Sequence, residues 1–284
     1  MNDINGYNER MRATMEDKMW FVNHLPLHID TVIDFGCADG SLFRALNHKY
    51  PGRFKLFVGI EESDEMRRLA NINADNRTLD VPILLTAHFD DIQKYKQIKP
   101  ENCVFVMNSV IHEIFNYKND ALISDDYSGS YSHCKYLNDL LESVNQFGIN
   151  CIAIRDMFAR LEKYYNALDI MRVLRESEAN LIFQQYENYF NEHWAHLAGG
   201  FMYVGNYIIA DFLMKWFYCD NWNREMKEFY FWNWLDGLLR DDTYPIKHLE
   251  YFNIPYVVDK AKELGVDMNW NTHAKLLLMK NEVK

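Results

Sequence analysis

Residues 32–46, VIDFGCADGSLFRAL, run from a short apolar stretch through a glycine-bearing turn into a helical pattern. Such a turn lets a ligand approach bare backbone, with helix amides directed at it. Its small residues are Gly36, Ala38 and Gly40. About twenty residues further on, a second apolar run ends in GIEES, and Glu61 takes the place where an acidic side chain accepts hydrogen bonds from ribose hydroxyls. A carboxylate suits two adjacent hydroxyls because both of its oxygens accept. The ordered pair of turn and carboxylate points to a nucleoside ligand. A dinucleotide is the weaker reading. The GxGxxG pattern would need a third glycine where Ser41 stands, and Asp34 puts a negative charge on the strand end beside a pyrophosphate.

Further groups with chemical potential follow the later apolar runs. His112 and Glu113 come after CVFVMN, and Arg155 and Asp156 end INCIAIRD. In open α/β sheets ligands bind beyond the carboxyl ends of the strands, which selects these four as catalytic candidates. Two readings stand for each pair. His112 and Glu113 either move a proton or cap and pack on a helix; Arg155 and Asp156 either meet substrate or form a local hydrogen-bonded support. A terminal hairpin turning at the same edge would add Thr272 and His273. His193 and His196, with Cys219 and Asp220 later, fall short of a zinc ligand set, so no metal is expected.

The elements that must position these residues are legible as a rhythm. TVIDF (31–35), KLFVGI (55–60), VPILLTA (81–87), CVFVMN (103–108) and INCIAIRD (149–156) alternate with helix-length segments, which implies βαβ units around a parallel sheet. Their continuous apolar character fits strands buried on both faces. Residues 5–24 have the spacing of an amphipathic helix, with Tyr7, Met11, Met15, Met19 and Val22 on one face. From Met157 to about Glu250 helical periods replace the strand rhythm, and five of the seven tryptophans fall there, so this stretch reads as a helical insertion without a second sheet. PYVVDKAKELG reads as a helix closed by Gly265, and VDMNW with THAKLLLMK as a hairpin completing the first sheet. The expected division is a lid helix over 1–24, a Rossmann-like core over 25–156, a helical cap over 157–250 and the completion of the core sheet over 251–284.

Composition bounds the function. With 284 residues, 49% hydrophobic and 25% charged, only 6 Pro and 12 Gly, the chain is a folded protein, not a low-complexity one. Thirty Lys and Arg against 41 Asp and Glu leave a net charge of −11, which disfavours phosphate-tracking nucleic-acid binding. Between 157 and 250, nine basic residues face fourteen acidic ones, a balance suited to a small uncharged or cationic acceptor. The five cysteines are dispersed, with no CxxC pair, and no run of about 18 apolar residues occurs, so a reducing cytoplasmic setting without a membrane span is expected.

The chain resembles the class I S-adenosylmethionine-dependent methyltransferases. The segments that carry the resemblance, in order, are VIDFGCADG (32–40), VGIEESDEM (58–66), TAHFDDI (86–92), VFVMNSVIHEI (104–114) and IAIRDMF (152–158). The resemblance implies a Rossmann-like, mostly parallel sheet with a C-terminal antiparallel hairpin strand, an N-terminal lid helix and a helical cap insertion. It further implies S-adenosylmethionine as cofactor. Asp34, Gly36, Ala38 and Gly40 would line its methionine end, with Cys37 counted beside them, and Glu61 with its neighbour Glu62 would take the ribose. His88, Phe89 or Asp90 would border the adenine, the register between His88 and Asp90 being open. Asn108 and Ser109 would face the methionine and sulfonium, and Tyr7 and Arg10 would close the cofactor side from the lid.

The resulting expectation is methyl transfer to an unidentified acceptor, a small molecule, with the cap available for homo-oligomer contacts. An RNA or nucleotide methyltransferase, and a non-catalytic S-adenosylmethionine-binding or partner-binding module, are the alternatives.

Overall fold

The computed structural model describes residues 14–75, 79–112, 135–158, 164–166, 196–198, 201–217 and 243–280, with 164–166, 196–198 and 201–204 described by their backbone. The chain divides into two compact units. One comprises Asn5–Asp156, Gly237–Glu250 and Lys275–Lys284; the other comprises Met1–Ile4, Met157–Asp236 and Tyr251–Ala274.

The first unit is built on strands β1 (Thr31–Phe35), β2 (Leu56–Ile60), β3 (Ile83–Thr86), β4 (Cys103–Asn108) and β5 (Cys151–Met157). All four pairings among them are parallel, β1 with β2 and β4, β2 with β3, and β4 with β5. Helices α2 (Ser41–Lys49), α3 (Asp64–Asp75) and α4 (Lys135–Phe147) follow β1, β2 and β4 in sequence. Two further strands, β9 (Ile246–Phe252) and β10 (His273–Met279), complete a seven-stranded sheet of order β3-β2-β1-β4-β5-β10-β9. Lys280 donates its N–H to Asn150 O beside β5, and Met279 donates to Pro245 O beside β9, so β10 runs against both neighbours. The architecture is the Rossmann-like, mostly parallel sheet with a C-terminal antiparallel strand that the sequence implied.

The apolar runs become strands because they are covered on both faces. Every residue of β2, β4 and β5 is buried, as are four of the five in β1. Phe57 stacks on Phe43 of α2 at 5.0 Å, and Phe105 meets the ring of Phe89 edge-on at 5.6 Å. Gly59 has a packing reason. A Cβ built there would lie 2.5 Å from Cys37 Sγ and 2.6 Å from Leu85 Cδ2. Gly59→Ala is therefore expected to destabilise the chain by about 1–3 kcal/mol, the usual cost of overpacking, read as a lowered urea midpoint. An unchanged midpoint would show that Cys37 can move aside without cost.

Three sequence expectations are corrected. Of the helix expected over 5–24, residues 5–13 lie outside the described residues. The remainder is a single turn, α1 (Met15–Lys18), followed by a 3-10 turn over Trp20–His24, where three successive side chains, Trp20, Phe21 and Val22, are all buried. A one-sided helical stripe cannot bury three neighbours in a row. The terminal hairpin is not formed by VDMNW: β10 pairs instead with β9, and α6 (Pro255–Glu263) intervenes between them in sequence.

The second unit supplies the third correction. It contains an antiparallel sheet of order β6-β8-β7, built from β6 (Tyr164–Asn166), β7 (His196–Ala198) and β8 (Phe201–Gly205), where no second sheet was expected. Strands of three to five residues are too short for periodicity to register. Helix α5 (Asn206–Phe217) follows directly and does fit the helical reading. It packs against α6, with Lys260 Nζ lying 4.5 Å above the Trp216 ring, and buries an internal Lys215–Asp211 ion pair of 2.8 Å. Among the described residues no helix is long and apolar enough to cross a membrane.

Candidate functional site

The order of the first unit reverses between β1 and β4, the point at which open α/β sheets bind ligands. The chain leaves β1 through a turn in which Gly36, Ala38 and Gly40 all take left-handed backbone, at φ of 76°, 46° and 72°. Gly36 and Cys37 donate their N–H groups to Ile60 O at 2.8 and 3.2 Å, tying the turn to β2. A Cβ at Gly36 would come within 2.8 Å of Val110 Cγ2, so the turn also lies close against the segment leaving β4. Ala38 is the informative member. A non-glycine residue in this region carries strain that surrounding contacts must hold, and such strain collects at ligand sites.

What holds Ala38 is Glu61. Its carboxylate accepts the Ala38 N–H at 3.1 Å through Oε2 and the Ser63 N–H at 2.9 Å through Oε1. Each oxygen thus has one backbone donor and retains accepting capacity for another. Below the turn, Asp39 accepts from the Ser41 N–H at 3.0 Å and from Arg44 at 3.4 Å, fixing the start of α2. Cys37 points inward. Its thiol is buried against Gly59, and burial, reinforced by Asp34 and Glu61, pushes its pKa well above the usual thiol value.

Across the reversal, β4 ends at Asn108. This side chain is buried, and its Nδ2 donates to Lys18 O at 3.3 Å, while Oδ1 has no hydrogen-bond partner among the described residues. A buried amide oxygen left unpaired costs about 1–3 kcal/mol, which marks it as a group awaiting a donor. Ser109 follows at φ 57°, a second strained non-glycine residue. Its N–H bonds Arg155 O at 2.7 Å and its hydroxyl accepts from Arg155 at 2.9 Å.

The charges here form one connected system. Arg155 Nε donates to Asp17 Oδ2 at 2.6 Å, and Lys275 Nζ of β10 reaches Asp17 Oδ1 at 2.6 Å, so Asp17 ties α1 to β5 and β10. Burial alone would raise the Asp17 carboxyl, but Arg155 and Lys275 hold it below its ordinary value. Lys18, next in sequence, is 5% exposed; burial and then the Arg155 charge bring it down to about 8, against the attraction of Asp34, Asp156 and Asp17. Asp34 moves the other way. Burial pushes its carboxyl up to about 7, with Glu61 adding to the effect and Lys18 opposing it.

Asp156, 1% exposed, accepts the Ile111 N–H at 2.6 Å through Oδ2, and its Oδ1 lies 2.8 Å from His112 Nδ1. The carboxylate is fixed by backbone on one side and holds an imidazole on the other.

The structure therefore brings together, around the β1/β4 reversal, Asp34, the 36–40 turn, Glu61, Asn108, Ser109, His112, Arg155 and Asp156. Glu62 is exposed in the same loop as Glu61. In the loop after β3, His88 and Asp90 are exposed while Phe89 is buried against Phe105 and Phe147. The carboxylate that braces this loop is Asp91, which accepts from Thr86 Oγ1 at 3.1 Å and pairs with Lys94. Thr272 and His273 belong to the second unit, where Thr272 Oγ1 lies 2.7 Å from His273 Nδ1 and the Thr272 N–H bonds Asn253 Oδ1 at 2.8 Å. Tyr7, Arg10, Glu113, His193, Cys219 and Asp220 lie outside the described residues. Sequence reasoning missed Asp17, Lys18 and Lys275, whose roles rest on partners remote in the chain.

No family model matches the chain, and no curated protein matches it. Several solved structures are similar to it. The plantazolicin methyltransferase BamL, in complex with a triazolic desmethylPZN analog and SAH, shares 11% identity at a TM-score of 0.46, over 97% of this chain and 88% of that one. The magnesium protoporphyrin IX methyltransferase of Synechocystis PCC 6803, with bound SAH, shares 10% identity at a TM-score of 0.43, over 95% and 83%. A putative methyltransferase from Bacillus halodurans C-125 shares 9% identity at a TM-score of 0.46, over 94% and 98%.

Proposed function

We propose that the chain is an S-adenosylmethionine-dependent methyltransferase acting on a small-molecule acceptor. The observation that carries the reading is Glu61, whose two oxygens are each anchored by one backbone N–H across the turn that leaves β1. That arrangement leaves accepting capacity on both oxygens, which suits a pair of neighbouring hydroxyls such as a ribose presents. Other features fit the same ligand. Asn108 Oδ1 offers a buried acceptor to an ammonium group, and Asp34 offers a carboxyl whose charge a cationic methionine end would favour. The left-handed turn over Gly36–Gly40 leaves little side chain between ligand and backbone.

The ligand supplies an activated methyl group on sulfur; the chain's residues align the acceptor with it, exclude water and handle any proton. Arg155 acts as a positioning residue, because its guanidinium is bonded to Asp17 and Ser109.

Titration calorimetry with S-adenosylmethionine, S-adenosylhomocysteine and NAD tests the reading. The two sulfur nucleosides are expected to bind and NAD to fail. Glu61→Ala, which removes the ribose acceptors and frees the strained Ala38, is expected to weaken binding by about 10–100-fold, the equivalent of one or two charge-assisted hydrogen bonds. Equal affinity in the variant, or tight NAD binding, would sink the reading.

A further inference from the structure

We propose that His24 and His248 form an acid-released latch that clasps the N-terminal segment, residues 14–25, to strand β9. The latch holds with one proton or none on the pair; a second proton forces the rings apart and loosens the segment. His24 ends the 3-10 turn over Trp20–His24, and His248 lies within β9. Their imidazoles stack with centroids 4.0 Å apart and planes inclined by 26°. Trp20 packs against both rings, at 5.9 Å from His24 and 5.5 Å from His248. Three aromatic side chains thus join the turn to a strand from the far end of the sequence.

One proton suits this cluster. His248 Nε2 is buried with no hydrogen-bond partner among the described residues, and Glu250 Oε2 lies 3.7 Å from it. A proton taken up there gives the buried nitrogen a donor to offer a carboxylate already at hand. The Trp20 ring adds a π-face to the resulting cation. A second proton finds no such place. Solvent reaches His24, but a charge on its ring would stand 4.0 Å from the charge on His248. Glu250 cannot balance both, because its Oε2 is shared with Lys275 Nζ of β10, 3.6 Å away, which in turn reaches Asp17 of α1 at 2.6 Å. Lys247 alternates to the other face of β9, and the turn itself carries no ionisable group besides His24. Partial burial of the ring, then the charge of His248, hold the His24 imidazole below its ordinary value against the pull of Glu250. The folded chain therefore takes this proton less readily than the unfolded one, and the contact weakens as pH falls through the imidazole range.

The clasped segment also covers the candidate site. Asp17 bridges Arg155 and Lys275, and Lys18 O accepts the Asn108 amide, so α1 lies over the ends of β4 and β5. With Phe21 fully buried as an anchor, opening the latch gives freedom to the two ends of the segment, at His24 and at α1.

The test uses the full chain without ligand, so its outcome is independent of the methyltransferase reading. Carbon-13 spectra of the His24 and His248 rings are followed from pH 8 to pH 4.5, with hydrogen exchange at pH 7.5 and pH 5 in the parent and in His24→Phe, which keeps a ring on His248. The second proton should bind at least about fivefold more weakly than the first, the lower end of what two charges this close cost. Protection of the Lys18, Met19, Val22 and Leu25 amides, each bonded within the segment, should fall at least about fivefold in acid relative to amides of β4, and less than about twofold in His24→Phe. Two histidines that titrate independently in the parent overturn the inference whether or not the variant folds. So does protection that falls equally in the two chains, or a loss confined to Leu25 that leaves Lys18 and Met19 unchanged.

Discussion

Asp34→Asn is expected to be more stable than the parent chain at pH 8 and to bind S-adenosylhomocysteine about 100-fold more weakly. The carboxyl titrates at 3.8 in its ordinary state and is pushed up to about 7 by burial in the folded chain. Between those values the folded state holds a proton that the unfolded state has released, so stability falls as pH rises from about 4 to about 7 and the full cost is present above 7. That cost is about 4 kcal/mol with the attraction of Lys18 already included; burying the amide N–H groups of asparagine without partners offsets part of it, and a net gain of about 2 kcal/mol is expected for the amide. Urea unfolding at pH 5 and pH 8 reads it. The gain should shrink by more than half at the lower pH, where the parent carboxyl is already protonated. Asparagine cannot supply the charge that a cationic ligand end favours, hence the loss of affinity. A pH-independent difference in stability, or unaltered affinity, would mean that Asp34 is not a charge held for a ligand.

Asp156→Ala is expected to lower stability by about 3–5 kcal/mol, the largest loss at any single position of the site. Three effects have the same sign. The buried Ile111 N–H loses its acceptor, His112 loses its partner, and Lys18 loses one of the carboxylates that support its charge. Asp156→Asn should cost less than half as much, because its carbonyl can still accept from Ile111. Chemical denaturation of both variants at pH 7.5 checks the ranking. Equal losses would show that the charge, not the Ile111 acceptor, dominates.

The five parallel strands were legible to within two residues because each is buried on both faces and advertises this with an unbroken apolar run, CVFVMN over Cys103–Asn108 being the clearest. The order of the 36–40 turn and Glu61 was legible as well. The hydrogen bond that joins Glu61 to Ala38 was not, since it spans two loops 23 residues apart. β9 was hidden by its edge position: IKHLEYF is half exposed and carries Lys247 and Glu250, so it reads as polar helix or loop. Asp17 and Lys275 looked like ordinary surface charges. Only folding brings Asp17 to Arg155, 138 residues away, and the charge of each makes sense only in the presence of the other. For Arg155 and Asp156 the sequence left substrate contact and structural support open; the structure bonds Arg155 to Asp17 and Ser109 and gives Asp156 both a backbone amide and an imidazole.

The central place of β10 in the sheet, between β5 and β9, has a consequence for biosynthesis. A ribosome delivers β5 and β9 before the strand that joins them, so the nascent chain carries two open edges until β10 emerges. Every residue of β5 is buried in the folded chain, so its bare edge is the kind of template that recruits other unfinished chains. Nonsense mutations or proteolysis within β10 would leave that edge permanently bare, and the outcome to anticipate is a protein lost to inclusion bodies.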